Sequence, residues 1–315
     1  MVCARLCFIL FIIAFLTACK DPGIRLTAIK SLPGYPSGSG LAYHGGRIYV
    51  MGDDAAYILE MDSQLNPTDS IHLFETSEKR IAKERKPDTE ALAIVKMHNT
   101  TSLLLLGSGS ISPYRDSCYV VALPGKEINK YSLDTFYARV KKSTLNMLNI
   151  EGATSIPDGI LLANRGNKSF PTNYLIVAPN FFWENQANAE IRLIKTGINS
   201  DTAIFNGISG LDYSYKSDQL FMTVSTENTY GIYADGEIGK SYLWIINDFS
   251  LKEKLDTMNP DKIINLEETD KRFSRQKIES VCIISENNGE KVLILTADDD
   301  QGSTVLFRLV LTGIK

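Results

Sequence analysis

Five short segments of this chain begin alike, with Ser or Glu, then a small residue, then a mostly apolar run. They are Ser39-Gly40-Leu41-Ala42-Tyr43, Glu90-Ala91-Leu92-Ala93-Ile94, Glu151-Gly152-Ala153-Thr154-Ser155, Ser209-Gly210-Leu211-Asp212-Tyr213 and Glu279-Ser280-Val281-Cys282-Ile283. Their first residues stand 51, 61, 58 and 70 positions apart. A supersecondary unit recurring at roughly 40–50 residues, lengthened by loops, is the mark of a β-propeller blade. The repeat predicts an all-β fold, a five-bladed β-propeller. It also delivers one oxygen-bearing side chain per blade toward a common axis.

The rest of the chain reads as strand meanders. Blade one covers 40–44, 47–51, 55–61 and 70–74, with the His44-Gly45-Gly46-Arg47 hairpin turn between its first two strands. Blade two reads 91–96, 102–106 and 119–123, and blade three 153–156, 159–163, 174–178 and 191–194. Blade four reads 211–215, 219–224, 242–246 and 262–265, and blade five 281–285, 292–296 and 305–311. Blade five is a strand short, and the alternating stretch Ile24–Ile29 is expected to complete it. Without closure, sheet edges would be open to pairing with other chains. A six-bladed ring with a degenerate blade in 120–150 is the alternative. That region instead carries a helical spacing over Leu133–Leu145, through Phe136 and Val140.

Residues 1–18 read as an export signal, with Arg5 ahead of the apolar stretch Leu6–Phe15. That stretch is shorter than the roughly 20 residues of a spanning helix. Leu16-Thr17-Ala18-Cys19 matches a bacterial lipobox, so Cys19 is the expected lipidation site. Residues 19–23 form a tether and 24–315 the propeller. The protein is expected at the outer membrane, periplasmic or surface-exposed, held by lipid and working as a monomer. Cleavage removes one Arg and takes the formal net charge from −4 to −5. That mild acidity excludes a nucleic-acid polymer as partner. Cys118 and Cys282 lie in apolar runs of non-adjacent blades and read as buried thiols rather than a disulfide. His44, His72 and His98 are scattered singly, without zinc-ligand spacing. The mixed-charge stretch Glu75–Lys86 reads as a solvated loop or short helix.

The start of each blade's first strand lies beside the end of its second. The starts carry Ser39, Glu90, Glu151, Ser209 and Glu279. The ends carry Asp53-Asp54, Ser108-Gly109-Ser110, Asn164-Arg165-Gly166-Asn167, Thr226-Glu227-Asn228 and Asp298-Asp299-Asp300. Three Glu on one axis repel unless they are solvated, protonated or bridged. Calcium accepts six to eight oxygens in a flexible shell and suits such a ring better than magnesium or zinc. The five starts are therefore candidate Ca2+ ligands, with a water-filled polar channel as the competing reading.

The cyclic order Ser, Glu, Glu, Ser, Glu resembles the central calcium ring of the calcium-activated nucleotidases, five-bladed propellers of the apyrase family. The resemblance implies one metal-binding oxygen per blade and hydrolysis of nucleotides on the adjacent face. It rests on one residue per blade. The neighbours differ: Ala-Leu follows Glu90, Gly-Ala follows Glu151, and Ile precedes both Glu151 and Glu279. The strand texture is also similar to esterase-like or phytase-like propellers. Over the whole chain, the segments YVMGDD, KPDTEALAI, LLGSGS, LNIEGA and ANRGN resemble a family of uncharacterised Bacteroidota lipoproteins, from which no activity carries over.

Two functions compete. One is a binding propeller whose calcium is a rivet, with Thr226–Lys240 (Tyr230, Tyr233) and Phe181-Phe182-Trp183 meeting a small molecule, envelope glycan, peptide or protein. The other is a calcium-dependent phosphohydrolase acting on a nucleotide- or phytate-like substrate. There Arg115, Arg165 and Lys168 would neutralise phosphate, and Asp53, Asp54, Glu227 or one of Asp298, Asp299 and Asp300 would act as general base. No GxSxG or Ser/His pair suggests a covalent esterase.

Overall fold

The computed structural model describes residues 23–314, apart from 77, 79, 84, 98, 144–146, 198–204, 228–237 and 299–302. Five antiparallel sheets stand round one axis as a five-bladed β-propeller. Blade one is β2 (Gly38–His44), β3 (Arg47–Gly52), β4 (Tyr57–Met61) and β5 (Pro67–His72). Blade two is β6 (Thr89–Met97), β7 (Thr100–Gly107), β8 (Ser117–Leu123) and β9 (Ile128–Ser132). Blade three is β10 (Ile150–Ile156), β11 (Gly159–Asn164), β12 (Asn173–Ala178) and β13 (Arg192–Thr196). Blade four is β14 (Phe205–Ser214), β15 (Gln219–Glu227), β16 (Ile238–Ile246) and β18 (Lys262–Asn265). Between them in sequence, β17 (Thr257–Met258) leaves blade four and pairs in parallel with the edge of β13. Blade five is β19 (Lys277–Asn287), β20 (Glu290–Asp298) and β21 (Ser303–Thr312), completed by β1 (Gly23–Pro33).

The five blades expected from the repeat are observed, and the six-blade alternative does not occur among the described residues. The 120–150 region holds the outer strand β9, which the sequence reading of blade two lacked, and the helix α1 (Asp134–Ser143). Phe136, Tyr137 and Val140 bury one face of α1, matching the helical spacing seen in the sequence. Phe182 and Trp183, expected as a contact patch, are buried against this helix, with the Phe136 and Phe182 rings 4.4 Å apart. Their burial on folding outweighs any role as an exposed contact.

The hydrophobic core is divided into five clusters, one in each gap between neighbouring blades. The inner strands β2, β6, β10, β14 and β19 pack in a closed cycle. Their approach explains the small second residue of the repeat. A Cβ at Gly210 would lie 2.6 Å from the Glu279 carbonyl oxygen, and one at Gly152 3.1 Å from the Gly210 Cα. Ser280 occupies the same position in blade five, and its hydroxyl accepts the Leu41 N–H at 3.1 Å. At the β2–β3 hairpin, Gly45 and Gly46 hold φ of 57° and 81°, the left-handed pair a two-residue turn demands.

Ring closure runs through β1, which pairs with β21 from Gly23↔Thr312 to Pro33↔Ser303. Leu26 and Leu32 are its buried contacts, and Thr304 ties the seam by accepting the Gly38 N–H at 2.8 Å. Removing residues 20–32 strips both leucines from the core and bares β21. The expected cost is at least about 3 kcal/mol, at about 1.5–3 kcal/mol per buried leucine. Urea denaturation checks it; a deletion as stable as the full chain refutes closure by this strand.

Candidate functional site

Each inner strand carries a β-bulge at the same place. The register slips between Gly38 and Gly40, Thr89 and Ala91, Ile150 and Gly152, Ile208 and Gly210, and Ile278 and Ser280. The residue left over is Ser39, Glu90, Glu151, Ser209 or Glu279 in turn. A bulge frees one residue from the ladder and re-aims its side chain. The repeat read from the sequence is therefore a repeat of bulges.

The five do not behave alike. Ser39 and Ser209 are clips between blades. Ser39 Oγ donates to the Thr89 carbonyl at 3.0 Å, and Ser209 Oγ donates to the Ile278 carbonyl at 2.6 Å. Glu279 pairs with Lys277 at 3.0 Å. Glu151 accepts from Asn149 Nδ2 and lies 3.8 Å from Arg165.

Glu90 sits in a different setting. With Asp53 and Asp88 it forms a group whose carboxylate oxygens lie within 4.8 Å of one another, a metal-ligand spacing. Asp53 follows β3, Asp88 precedes β6, and Glu90 is the bulge of β6, so the group spans the seam between blades one and two. Asp53 Oδ1 and Asp54 Oδ1 are buried and accept no hydrogen bond among the described residues. Burial pushes the Glu90 carboxyl well above its usual range, and the charges of Asp53, Asp88 and Glu151 push the same way against Lys86.

Cations enter this lattice from outside the ring. The Lys86 ammonium contacts Asp53 and reaches Asp88 at 2.7 Å. Burial alone would discharge it, but Asp53, Asp88 and Glu90 together hold it protonated. Arg115 is buried and donates to Asp88 at 2.6 Å and to Ser110 at 2.8 Å. Arg80 donates to Asp54 at 2.6 Å and Ser37 at 3.1 Å, and the charge of Asp298 also bears on it. Burial and the Asp53 charge raise Asp54, while Arg80 lowers it. Arg165, also buried, donates to Ser225 at 3.2 Å.

The candidate residues are thus gathered on one face, with some departures. The stretch 75–86 is not simply solvated, because Lys86 turns inward to Asp53 and Asp88, and Arg80, itself half-exposed, pairs with the buried Asp54. The sequence reading missed Lys86, Asp88 and Arg80 as site residues. The KPDTEALAI segment carries all three: Lys86 and Asp88 lie in the loop that leads into β6, with Asp88 at a φ of 53°, and Glu90 is the bulge of that strand. Glu227 ends β15, but its side chain, together with Asp299, Asp300, Tyr230, Tyr233, His98 and Cys19, lies outside the described residues. Cys118 and Cys282 are buried free thiols.

A family sequence profile matches residues 34–311, spanning all five blades and every described residue of this face. The chain belongs to DUF6929, a family of unknown function. The segments expected to mark an uncharacterised family supply the site: YVMGDD gives Asp53 and Asp54, KPDTEALAI gives Lys86, Asp88 and Glu90, and LLGSGS gives Ser108 and Ser110. No functionally curated protein matches the chain. Among solved structures it is similar to the glutaminyl cyclase of Myxococcus xanthus, with 8% identity, a TM-score of 0.48, and coverage of 92% of this chain and 98% of that one. It is also similar to the β-propeller domain of Cps50 (Swd1) from Myceliophteria thermophila, with 8% identity, a TM-score of 0.38, and 89% and 99% coverage. A third is a DUF4623 family protein of Bacteroides eggerthii, with 9% identity, a TM-score of 0.40, and 92% and 77% coverage.

The raised Glu90 carboxyl has a signed consequence. A carboxyl whose folded pKa exceeds its unfolded one favours the fold while protonated and loses that contribution as pH rises. In chelator, Glu90→Gln should therefore raise the melting temperature at pH 7.5 and change it little near pH 4. A variant that melts lower at pH 7.5 in chelator contradicts the repulsion read here.

Proposed function

We propose that this DUF6929 protein is a cell-envelope propeller that binds a hard divalent cation, calcium by its chemistry, on the polar face and presents that centre to a ligand. The carrying observation is the Asp53–Asp88–Glu90 group, together with a buried Asp53 Oδ1 that accepts no hydrogen bond among the described residues. All donors are oxygens, which suits calcium and not zinc. Glu151 stands close enough for its charge to bear on Glu90. Ser39, Ser209 and Glu279 complete the axial ring but already have protein partners. The bound cation would supply charge that tethers an anionic or hydroxylated ligand; Lys86 and Arg115 orient the carboxylates around it.

Binding is favoured over phosphate-ester hydrolysis by the state of the arginines. Arg115 and Arg165 are buried and engaged with Asp88, Ser110 and Ser225. A phosphate that took Arg115 from its partner would leave the buried Asp88 carboxylate short of a cation, at a cost of about 3–5 kcal/mol.

Calcium should raise the melting temperature of the protein, by an amount corresponding to about 2.7 kcal/mol at a hundredfold excess over Kd. Glu90→Gln should lose most of that calcium-dependent shift while staying folded in chelator. A wild-type melting curve that ignores calcium overturns the metal centre.

The envelope location follows from the lipobox. No described helix is long and apolar enough to cross a membrane. Lipid labelling should acylate the wild-type chain and not Cys19→Ser; label retained in the variant refutes Cys19 as the anchor.

A further inference from the structure

At the end of the channel away from the carboxylate group, the inner strands part round a cavity of about 650 Å³. Its lining includes Ala42, Ala93, Thr154, Asp212, Ile283 and Tyr215. These include the third residue after the bulge in four blades: Ala42, Ala93, Thr154 and Asp212. Two alanines at that level leave open the volume opposite the carboxylate. Asp212 is held firmly. Its Oδ1 accepts the Thr154 hydroxyl at 3.0 Å and its own neighbour Tyr213 N–H at 2.9 Å, and its Oδ2 accepts the Ile283 N–H at 2.8 Å. These bonds join blades three, four and five.

What Asp212 lacks is a counter-charge. All three partners are neutral, and among the described residues no Lys or Arg pairs with it. The lysines of the cavity stand elsewhere. Lys96 is exposed, and the Lys216 ammonium donates to the Glu286 carbonyl at 2.5 Å. Glu286 is itself paired with Lys291 at 2.8 Å. One lone pair of Oδ2 is unused by the protein. Tyr215, 61% exposed, stands near enough to Asp212 to feel its charge and offers a ring face at the cavity mouth.

We propose that this cavity is a second binding site, distinct from the polar face, for a small ligand bearing an ammonium group on an apolar body. The ammonium donates to Asp212 Oδ2 and supplies the missing charge. The apolar body fills the space left by Ala42 and Ala93, and Tyr215 adds an aromatic face of the kind that attracts cations. A carboxylate that lines a cavity and has no Lys or Arg paired with it among the described residues favours an amine over a neutral or anionic ligand of the same shape, since only the amine offsets the buried charge.

The burial of Asp212 gives the site a pH dependence. Burial lifts the Asp212 carboxyl to about 6, against the lowering by Ile283 N–H, Thr154 and Tyr213 N–H. The other titratable groups against it are Cys282 of β19 and Tyr213 and Tyr215 of its own blade, all pushed upward by burial and neutral in this range. An aliphatic amine stays protonated throughout, so its affinity should follow ionised Asp212.

Benzylamine, benzyl alcohol and benzoate test the proposal as a matched set, by calorimetric titration of the full-length chain. Benzylamine should saturate at roughly millimolar concentration. Benzyl alcohol and benzoate should bind at least about tenfold more weakly. Between pH 8 and pH 5 benzylamine affinity should fall about tenfold, the drop in ionised Asp212 for a pKa of about 6. Tyr215→Ala, at an exposed position, should keep the fold and weaken benzylamine severalfold. Asp212→Asn should abolish the preference for the amine; should that variant not fold, the wild-type pH series decides alone. Equal binding of the three probes, stronger binding of benzoate, no benzylamine binding, or pH-independent binding would each overturn the site.

Discussion

Five inner strands must approach one axis closely enough to close a ring, and the rest of the structure follows from that crowding. A Cβ on Gly210 would strike the backbone of the next blade, so a small residue recurs there in every repeat. The residue before it cannot stay in the ladder, and each strand bulges at that point. The bulge leaves polar backbone without its ladder partner at a buried seam. Ser39 and Ser209 answer this directly by donating their hydroxyls to carbonyls of the adjacent blade. Where the bulge carries Glu, the same geometry delivers a carboxylate.

Carboxylates delivered this way create an electrostatic problem that the loops solve. Ionised pairs within 4.8 Å repel by about 3–4 kcal/mol at an effective dielectric of about 20. Lys86, Arg115, Arg80 and Arg165 come in from loops, and Lys277 from the start of β19, to offset it. At Glu90 burial and the neighbouring carboxylates keep the carboxyl raised despite Lys86. That raised carboxyl, at the seam between blades one and two, is the basis on which we propose a divalent cation there. The opposite end of the channel shows the same physics on a smaller scale, with Asp212 satisfied in hydrogen bonds and unsatisfied in charge.

Much of the architecture was legible because its signals are local. The two-glycine hairpin, the alternation of Ile24–Ile29 and the spacing of Phe136 and Val140 each encode one element. Strand β9 was missed because Ile128–Ser132 is an exposed outer strand without apolar alternation. Strand β17 was missed because two residues pairing with another blade leave no periodic trace. In the site, Glu90 was legible as a repeat position, whereas Lys86 read as the end of a charged stretch and Asp88 stood out only as part of the KPDTEALAI segment.

The sequence by itself pointed to five blades over six, to the closing strand and to the five repeat positions, since each rests on a pattern local to one stretch of chain. Only the tertiary structure decided which of those five are clips, which are paired and which one gathers Asp53 and Asp88. It also decided that Asp212 stands without a counter-charge while nearby lysines point elsewhere. These are questions of distance between blades, and charge and desolvation depend on distances that spacing along the chain does not encode.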